Sequence, residues 1–277
     1  MIQVAIIGAG FIGPAHLEAL RRLGDVEVVA LCDSRLEAAQ RKARALNIAH
    51  AYDSVEALLA HPGLQVVHNC TPNHLHAQIN RQILAAGLHV FSEKPLCMTA
   101  EEARELVALA ARAGVVHGVS FVYRQFAMVQ QAAAMIRHGE VGRIFAAHGS
   151  YLQDWMLLET DYNWRVDSAQ GGASRAVADI GSHWCDTVQF MTGRRIVEVM
   201  ADLSIVWPTR KAPVNGKATF SAVHEAQAYE TRPVDTEDFG SVLLRFDDGS
   251  KGSFMVSQVS AGRKNRLAVE INGSLCS

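Results

Sequence analysis

The chain contains 277 residues, which suffices for one large domain or two of ordinary size. Hydrophobic residues make up 49% of the chain and charged residues 19%, so a sizeable core is available. The formal net charge of −2 gives no overall positive field, and we expect neither nucleic acid nor a membrane surface as a partner. No apolar run approaches the length of a transmembrane helix.

The N-terminus and the cysteines favour a cytoplasmic location. The first seven residues lack a basic segment and predict a strand rather than a signal peptide. The five cysteines include no C-x-x-C pair, which indicates free thiols in a reducing compartment.

Strand and helix patterns alternate through the first 122 residues. Several strand segments are continuous apolar runs, as parallel strands covered on both faces require. The alternation predicts an α/β domain over residues 1–122, built from right-handed βαβ units around a doubly wound parallel sheet. The predicted strands are 3–7, 26–31, 49–52, 65–69, 89–91 and 115–119, and the predicted helices are 14–23, 35–46, 53–60, 74–86 and 99–113.

The pattern changes in residues 123–277, which we predict to form a second domain. Asp247-Asp248-Gly249-Ser250 has the composition of a hairpin turn, so the strands around it should pair antiparallel. Residues 208–238 show weak periodicity and contain three prolines, which predicts an excursion or flexible loop. The other predicted elements are a helix over 125–137 and strands over 144–152, 196–206, 240–246, 252–259 and 266–271.

Gly8-Ala9-Gly10-Phe11-Ile12-Gly13 lies between a predicted strand and a predicted helix, the context in which a glycine-rich turn binds a dinucleotide. The first glycine permits the tight turn, the second lets a pyrophosphate approach the backbone, and the third lets helix and strand pack closely. The N-terminus of the following helix offers unpaired N–H groups and the positive end of its dipole to the phosphates. The motif therefore predicts a dinucleotide cofactor.

Asp33 ends the second predicted strand, about twenty residues after the last glycine, where an acidic residue bonds the ribose hydroxyls. Its carboxylate would repel a 2′-phosphate, which favours NAD over NADP. Two alternatives remain at this point. Arg35 could pair with a 2′-phosphate, and Asp33 could be the N-cap of the next helix.

Two further segments follow predicted strands at their carboxyl ends, where open α/β sheets bind ligands. Thr71-Pro72-Asn73-His74 is the first, and a helix cap is the alternative role for Asn73. Glu93-Lys94-Pro95 is the second, and it places a lysine where both cofactor and substrate can be reached. A solvated loop pair is the alternative, although Pro95 restricts Lys94 to extended geometry and permits a cis bond.

Asp179 and His183 are the candidates of the second domain. The segment 178–186 is predicted to be helical, which puts these side chains, four positions apart, on one face. Histidine can take or give a proton at neutral pH, and Asp179 could bond a substrate hydroxyl. The alternatives are an ordinary core or surface histidine, an intrahelical hydrogen bond and a metal site. Because no third ligand stands at a suitable spacing, we expect no metal.

Together these motifs resemble the Gfo/Idh/MocA oxidoreductases, which include glucose–fructose oxidoreductase and inositol dehydrogenase. The resemblance follows the family order through about the whole chain, and it is more specific for the family than for a substrate. It is carried by the glycine-rich turn, Thr71-Pro72-Asn73-His74, Glu93-Lys94-Pro95, Asp161-Tyr162-Asn163-Trp164-Arg165, Gly171-Gly172 and Asp179-Ile180-Gly181-Ser182-His183-Trp184-Cys185-Asp186.

The resemblance implies an NAD(P)-binding Rossmann domain and a C-terminal α+β domain with an open, mainly antiparallel sheet. It implies a homodimer or homotetramer formed through that sheet. It also implies a catalytic set in which His183 is the base on a substrate hydroxyl, Lys94 stabilises the alkoxide and Asp179 orients the substrate.

The remaining implied contacts fall into two groups. Cofactor contacts are implied for Gly8, Gly10, Phe11, Ile12, Gly13, Asp33, Ser34, Thr71, Pro72, Asn73, His76, Glu93, Lys94, Trp164 and Arg165. Substrate contacts are implied for Lys94, Tyr123, Arg124, Tyr151, Trp155, Tyr162, Asp179 and His183. Core packing is the alternative role for Tyr151, Trp155 and Tyr162.

The sequence departs from the family pattern at two places. Ser120 stands near the position where many relatives carry Asn or Gln against the nicotinamide. The chain also stops at Ser277, where relatives usually continue through further strands, so we expect a truncated chain or a disordered tail.

The expected function is oxidation of a CH–OH group of a sugar, cyclitol or related polyol, with NAD as the cofactor and NADP as the alternative. Two other functions fit the same fold. One is a glycosidase or dehydratase cycle that recycles bound nicotinamide, and the other is non-enzymatic cofactor sensing. The presence of Lys94, Asp179 and His183 together favours an enzyme.

Overall fold

The chain divides into two compact units, Met1–Ser120 and Phe121–Ser277, in a computed structural model that describes residues 1–214 and 228–277. The division lies close to the boundary predicted after residue 122. Each unit contains its own sheet and its own hydrophobic clusters.

Six parallel strands form the sheet of the first unit. They are β1 (Ile2–Ile7), β2 (Val26–Cys32), β3 (His50–Tyr52), β4 (Val66–Asn69), β5 (His89–Ser92) and β6 (His117–Val119). The helices are α1 (Gly13–Arg21), α2 (Leu36–Ala45), α3 (Val55–Leu59), α4 (Asn73–Ala85) and α5 (Ala100–Ala113). The strand order β3-β2-β1-β4-β5-β6 confirms the predicted doubly wound fold. The order reverses between β1 and β4, the point at which such sheets bind ligands.

Strand β1 shows why its sequence is apolar without interruption. Val4 and Ile6 pack into one cluster, and Ala5 and Ile7 pack into another. Because neighbouring side chains of a strand point to opposite faces, each cluster lies on its own side of the sheet. Burying a side chain the size of valine or isoleucine stabilises the fold by about 1.5–3 kcal/mol.

The α-helices described in the second unit are α6 (Ala127–Arg137), α7 (Ser168–Gly171) and α8 (Ser182–Thr192). Its strands are β7 (Ile144–Leu152), β8 (Ile196–Ser204), β9 (Thr209–Pro213), β10 (Tyr229–Pro233), β11 (Phe239–Phe246), β12 (Lys251–Ser257) and β13 (Arg266–Gly273).

A five-stranded sheet in the order β13-β7-β12-β11-β8 dominates this unit. Only the β7/β12 pair in it is parallel, which confirms a mainly antiparallel sheet. The predicted hairpin joins β11 and β12, and its turn residue Gly249 has a φ of +84°. Trp184 of α8 stacks on Phe254 of β12 with ring centroids 4.6 Å apart, which fixes α8 on the sheet.

One prediction about the second unit is wrong. The segment 208–238, predicted to be an excursion or loop, contains β9 and β10, which pair antiparallel. Arg210 of this segment is buried with Asp238, so ion pairing holds it where hydrophobic periodicity is weak. The rest of that segment, residues 215–227, lies outside the described residues.

The segment 178–186 is helical, as predicted, but it is not one regular α-helix. A π-helical turn spans Val177–Gly181, and α8 begins at Ser182. A Cβ added at Gly181 would lie 3.2 Å from a methyl carbon of Val177 and 3.3 Å from the Phe254 ring, so the turn packs closely there. Single π turns of this kind occur frequently at functional sites.

Within residues 1–214 and 228–277, no helix has the length and apolar character needed to cross a membrane.

Candidate functional site

The glycine-rich turn has the geometry of a phosphate cradle. Gly8 has a φ of +99°, and a Cβ there would lie 2.5 Å from the carbonyl oxygen of Cys70. A Cβ on Gly13 would lie 2.4 Å from the carbonyl oxygen of Gly8. Around Gly10, in contrast, no described atom lies within 4 Å of a built Cβ, so this side of the turn is open. Ile12 is the N-cap of α1 and makes no side-chain cap hydrogen bond, so the N-terminal end of the helix faces the turn without a side-chain cap.

Asp33 is held against this turn. Its Oδ2 accepts a hydrogen bond of 3.3 Å from the backbone N–H of Ala9, and its Oδ1 accepts one of 2.7 Å from the backbone N–H of Ser34. Helix α2 begins at Leu36 with Arg35 as its N-cap, which excludes the alternative that Asp33 caps the helix. The carboxylate therefore lies at the strand end where a ribose would be bound.

A pocket of about 330 Å³ opens beside Asp33. Two cations of α2, Arg41 and Lys42, line it, although no sequence motif marked them. Arg35, the cation that the sequence suggested, is exposed and does not line this pocket. The full lining is Ala9, Asp33, Ala38, Arg41, Lys42 and Ala45.

A buried chain of hydrogen bonds connects the loops that follow β4 and β5. Thr71 donates its Oγ1 hydrogen to Asn69 Oδ1 at 2.7 Å, and Asn69 Nδ2 donates to Asn80 Oδ1 at 2.8 Å. Asn80 Nδ2 in turn donates to Ser92 Oγ at 3.0 Å. These contacts fix the positions of both loops at the carboxyl edge of the sheet.

His76 ties the same two loops together. It is only 1% exposed, and its Nδ1 and Nε2 lie 2.6 Å from the carbonyl oxygen of Pro95 and 2.7 Å from that of Thr71. Burial is the main influence on its pKa and lowers it. Since both ring nitrogens face backbone carbonyls, His76 orders these two loops. Asn73 is the first residue of α4, whose N-cap is Pro72, so Asn73 is not the cap.

Glu93 is largely withdrawn from solvent, which excludes the alternative of a solvated Glu-Lys pair. Its side chain is 12% exposed, and it accepts hydrogen bonds from His16 Nε2 at 3.1 Å and from the backbone N–H of Lys94 at 3.2 Å. Burial alone would raise the pKa of Glu93, but hydrogen bonds from His16 and Ser120 and the charge of Lys94 outweigh burial and lower it. The Lys94–Pro95 peptide bond is cis, as the sequence permits.

His16 connects Glu93 to a second histidine, His68, which is half-buried. His16 Nδ1 and His68 Nδ1 are 2.9 Å apart. Burial, and secondarily His16, lower the pKa of His68 to about 3, so His68 is neutral at physiological pH. Neither histidine was singled out from the sequence, because their partners lie 52 and 77 positions away along the chain.

In the second unit, aromatic rings surround His183. The imidazole is 7% exposed, and its ring centroid lies 4.9 Å from that of Tyr123 and 5.5 Å from that of Phe121, both T-shaped. Tyr151 lies further off, at 6.3 Å between centroids. The structure thus brings His183 together with two of the residues predicted to contact a substrate.

Asp179 is held by residues of two other segments. Its Oδ2 accepts a hydrogen bond of 2.9 Å from Gln258 Nε2, and its Oδ1 lies 3.7 Å from Arg165 Nε. The guanidinium of Arg165 stacks over the ring of Trp164 at 4.4 Å. Asp179 also helps to raise the pKa of Tyr151, after burial and Tyr123, so its charge acts on the tyrosine beside His183.

Arg124, predicted to bind substrate, forms a bidentate ion pair with Asp186 of α8. This pair raises the pKa of Arg124 and ties the turn that carries Tyr123 to the helix that carries His183.

Trp155 donates its Nε1 hydrogen to Gln153 Oε1 at 2.8 Å. Trp155 and Tyr162 pack against a cluster containing Met156, as the core-packing alternative requires.

The fold and these groups define the chain as a Rossmann oxidoreductase with a separate α+β unit. Residues 2–121 match the family model described as "Oxidoreductase family, NAD-binding Rossmann fold". Residues 129–277 match the "GFO/IDH/MocA C-terminal domain". The chain therefore belongs to the Gfo/Idh/MocA oxidoreductase family, and NAD is the cofactor of its Rossmann domain.

Individual relatives agree with this assignment. The levoglucosan dehydrogenase of Pseudarthrobacter phenanthrenivorans is 31% identical over 99% of this chain and 72% of its own length. The D-glucoside 3-dehydrogenase of Escherichia coli is 34% identical over 69% of this chain and 54% of its own length. A solved structure of levoglucosan dehydrogenase with NADH and L-sorbose matches with a TM-score of 0.89 and 30% identity, over 99% of this chain and 71% of that one.

Proposed function

We propose that the protein oxidises a secondary alcohol of a cyclic sugar or a related polyol, with NAD as the cofactor. This proposal rests on the environment of His183. Its imidazole is buried between aromatic rings, and Asp179 is held in the same unit. Aromatic rings beside a polar, proton-transferring group suit a ligand that has both apolar ring faces and hydroxyl groups.

Each catalytic group has one task in this proposal. His183 removes the hydroxyl proton, and Asp179, fixed by Gln258 and Arg165, bonds a hydroxyl of the substrate. Lys94 stabilises the alkoxide that forms, because a cation is worth most where negative charge develops. NAD, when bound, supplies the hydride acceptor. The open side of Gly10 and the positive N-terminal end of α1 would hold its pyrophosphate.

The class of substrate is suggested by what the relatives are named for. Both the levoglucosan and the glucoside dehydrogenase act on cyclic sugars by name. We therefore place neutral cyclic sugars first in a substrate screen, followed by cyclitols and linear polyols.

We further propose that the protein assembles as a homodimer or homotetramer through the sheet of its second unit. Met200 of β8 and Leu243 of β11 are cross-strand neighbours, 70% and 56% exposed. A paired apolar surface of this kind favours association. A cytoplasmic location is proposed as well, since all five cysteines are free and Cys32 and Cys70 are buried thiols.

The decisive experiment is turnover of a sugar and polyol panel, measured by nicotinamide absorbance, with the native protein and Lys94→Ala. We expect Lys94→Ala to lower kcat about 10²–10³-fold, as loss of one charge-stabilising donor does. NAD binding, measured by calorimetry, should change little. Lys211→Ala, which removes an ion pair with Glu159, is the matched control and should retain full activity. Unchanged turnover in Lys94→Ala would refute the assigned role.

A further inference from the structure

The residues around His183 include a closed ring of three hydrogen bonds. Tyr151 donates its hydroxyl hydrogen to Asn265 Oδ1 at 2.6 Å, and Asn265 Nδ2 donates to the hydroxyl of Tyr123 at 3.0 Å. A short hydrogen bond between the two tyrosine hydroxyls closes the ring. Asn265 lies just before β13, 142 positions from Tyr123, and no motif marked it.

Counting protons fixes the direction of every bond in this ring. A phenol has one hydrogen to donate, and Tyr151 gives its own to Asn265. The hydrogen between the two hydroxyls must therefore come from Tyr123. Tyr123 in turn accepts from Asn265 Nδ2, so each group in the ring both donates and accepts.

Asn265 is the group that imposes this direction, because its carboxamide offers an acceptor and a donor side by side. Gln153 Nε2 donates a second hydrogen bond of 2.8 Å to Asn265 Oδ1 and so anchors the carboxamide. A carboxylate at this position would accept from both tyrosines and would leave Tyr123 without the hydrogen bond that it now receives.

The ring acts on His183 through Tyr123. The imidazole and the Tyr123 ring are T-shaped, at 81° with centroids 4.9 Å apart, while Tyr151 is almost fully buried and immobilises the other side of the ring. The charged groups nearby are Asp179, Arg165 and the Arg124–Asp186 pair, and each is engaged in its own contacts.

We propose that Asn265 is a positioning residue for the base: by closing the ring, it holds Tyr123 against His183 and fixes the orientation of the imidazole. This inference rests on the proposed role of His183. Asn265 itself is exposed and touches none of the proposed catalytic groups directly in the contacts described above, so its effect passes through the tyrosines.

The test is a double-mutant cycle with Asn265→Ala, Tyr123→Phe and the combined variant. We expect Asn265→Ala to lower kcat about tenfold with little change in KM, since orientation of the base is a transition-state effect. The combined variant should be no worse than the worse single variant. Additive losses would overturn the proposal, because Asn265 would then act independently of Tyr123.

A second measurement separates this proposal from the proposed function. The imidazole signal of His183 is titrated by NMR in the ligand-free protein and identified by its loss in His183→Asn. Asn265→Ala should shift this titration, whereas Asn272→Ala should not, because Asn272 on β13 bonds Glu270 outside the ring. An unaltered titration in Asn265→Ala overturns the positioning role. If the sugar panel gives no turnover but the titration shifts, only the proposed function fails.

Discussion

Asp33 combines two tasks in a single carboxylate. One oxygen bonds the N–H of Ala9 and thereby supports the glycine-rich turn, while the other bonds Ser34. Asp33 also lines the pocket that Arg41 and Lys42 line, so opposite charges meet in that pocket. We expect the balance between these charges to set the preference for NAD over NADP.

Asp33→Asn should shift this balance toward NADP. Removing the negative charge leaves Arg41 and Lys42 unopposed, so we expect the ratio of NADP to NAD affinity to rise about tenfold, or about 1.4 kcal/mol. Calorimetric titration with both cofactors measures it. Asp25→Asn, at the opposite end of β2 and exposed, is the control and should change neither affinity. A native protein that binds only NADP would contradict the role given to Asp33.

The surroundings of a single residue could be predicted where a local motif specifies them. They could not be predicted where they depend on a partner far away in the sequence. Gly8, Gly13 and Asp33 were found because their spacing and strand–helix context specify a backbone geometry. The burial of Glu93 and the roles of His16 and Asn265 depend on contacts across 77 and 142 positions, which no local pattern records.

At the scale of elements, β9 shows a stabilising contact that hydropathy does not reveal. Arg210 of β9 and Arg175 both donate to Asp238 Oδ1, and all three side chains are fully buried. Asp238 Oδ2 also accepts from the backbone N–H groups of Val206 and Trp207. The charged sequence of β9 predicts a loop, but in the folded protein these charges are paired.

Asp238→Asn should destabilise the second unit by about 3–5 kcal/mol, because it leaves buried arginines without their counter-charge. The two arginines outweigh burial and lower the pKa of Asp238. Its stabilising contribution is therefore present above the unfolded pKa of about 3.9 and is lost as the pH falls through the lower, folded value.

Urea unfolding between pH 3 and pH 8 checks this prediction. The difference between the native protein and Asp238→Asn should be constant at neutral pH and should shrink in acid. Glu230→Gln removes an exposed ion pair with Arg232 and should cost less than about 1 kcal/mol. A difference that grew in acid would contradict the assigned sign.

Elements with strong periodicity were predicted well, and those held by polar contacts were not. Strands β1, β7 and β12 lie close to their predicted ranges because their apolar patterns match their burial. The π turn at Val177–Gly181 was missed, since it depends on how closely Gly181 packs on β12 rather than on a helical repeat.

At the scale of the whole molecule, the exposed pair Met200 and Leu243 carries a prediction about assembly. Replacing both by lysine places charge on the proposed contact, so we expect the mass measured by light scattering to fall toward that of a single chain. Val116→Lys introduces the same charge at an exposed apolar position of the first unit and should leave the mass unchanged. A native protein that is already monomeric at micromolar concentration would contradict the proposal.

The contact between His16 and His68 determines where the protons lie in the group of side chains that bonds Glu93, the residue before Lys94. Glu93 accepts from Nε2 of His16, so that nitrogen carries a hydrogen. If His16 is neutral, its Nδ1 is bare and the single hydrogen of neutral His68 must sit on Nδ1. If His16 is charged, that hydrogen must sit on Nε2 of His68 instead. The tautomer of His68 therefore reports the charge state of His16. It also reports the charge next to Glu93, whose carboxylate accepts a hydrogen bond from the backbone N–H of Lys94.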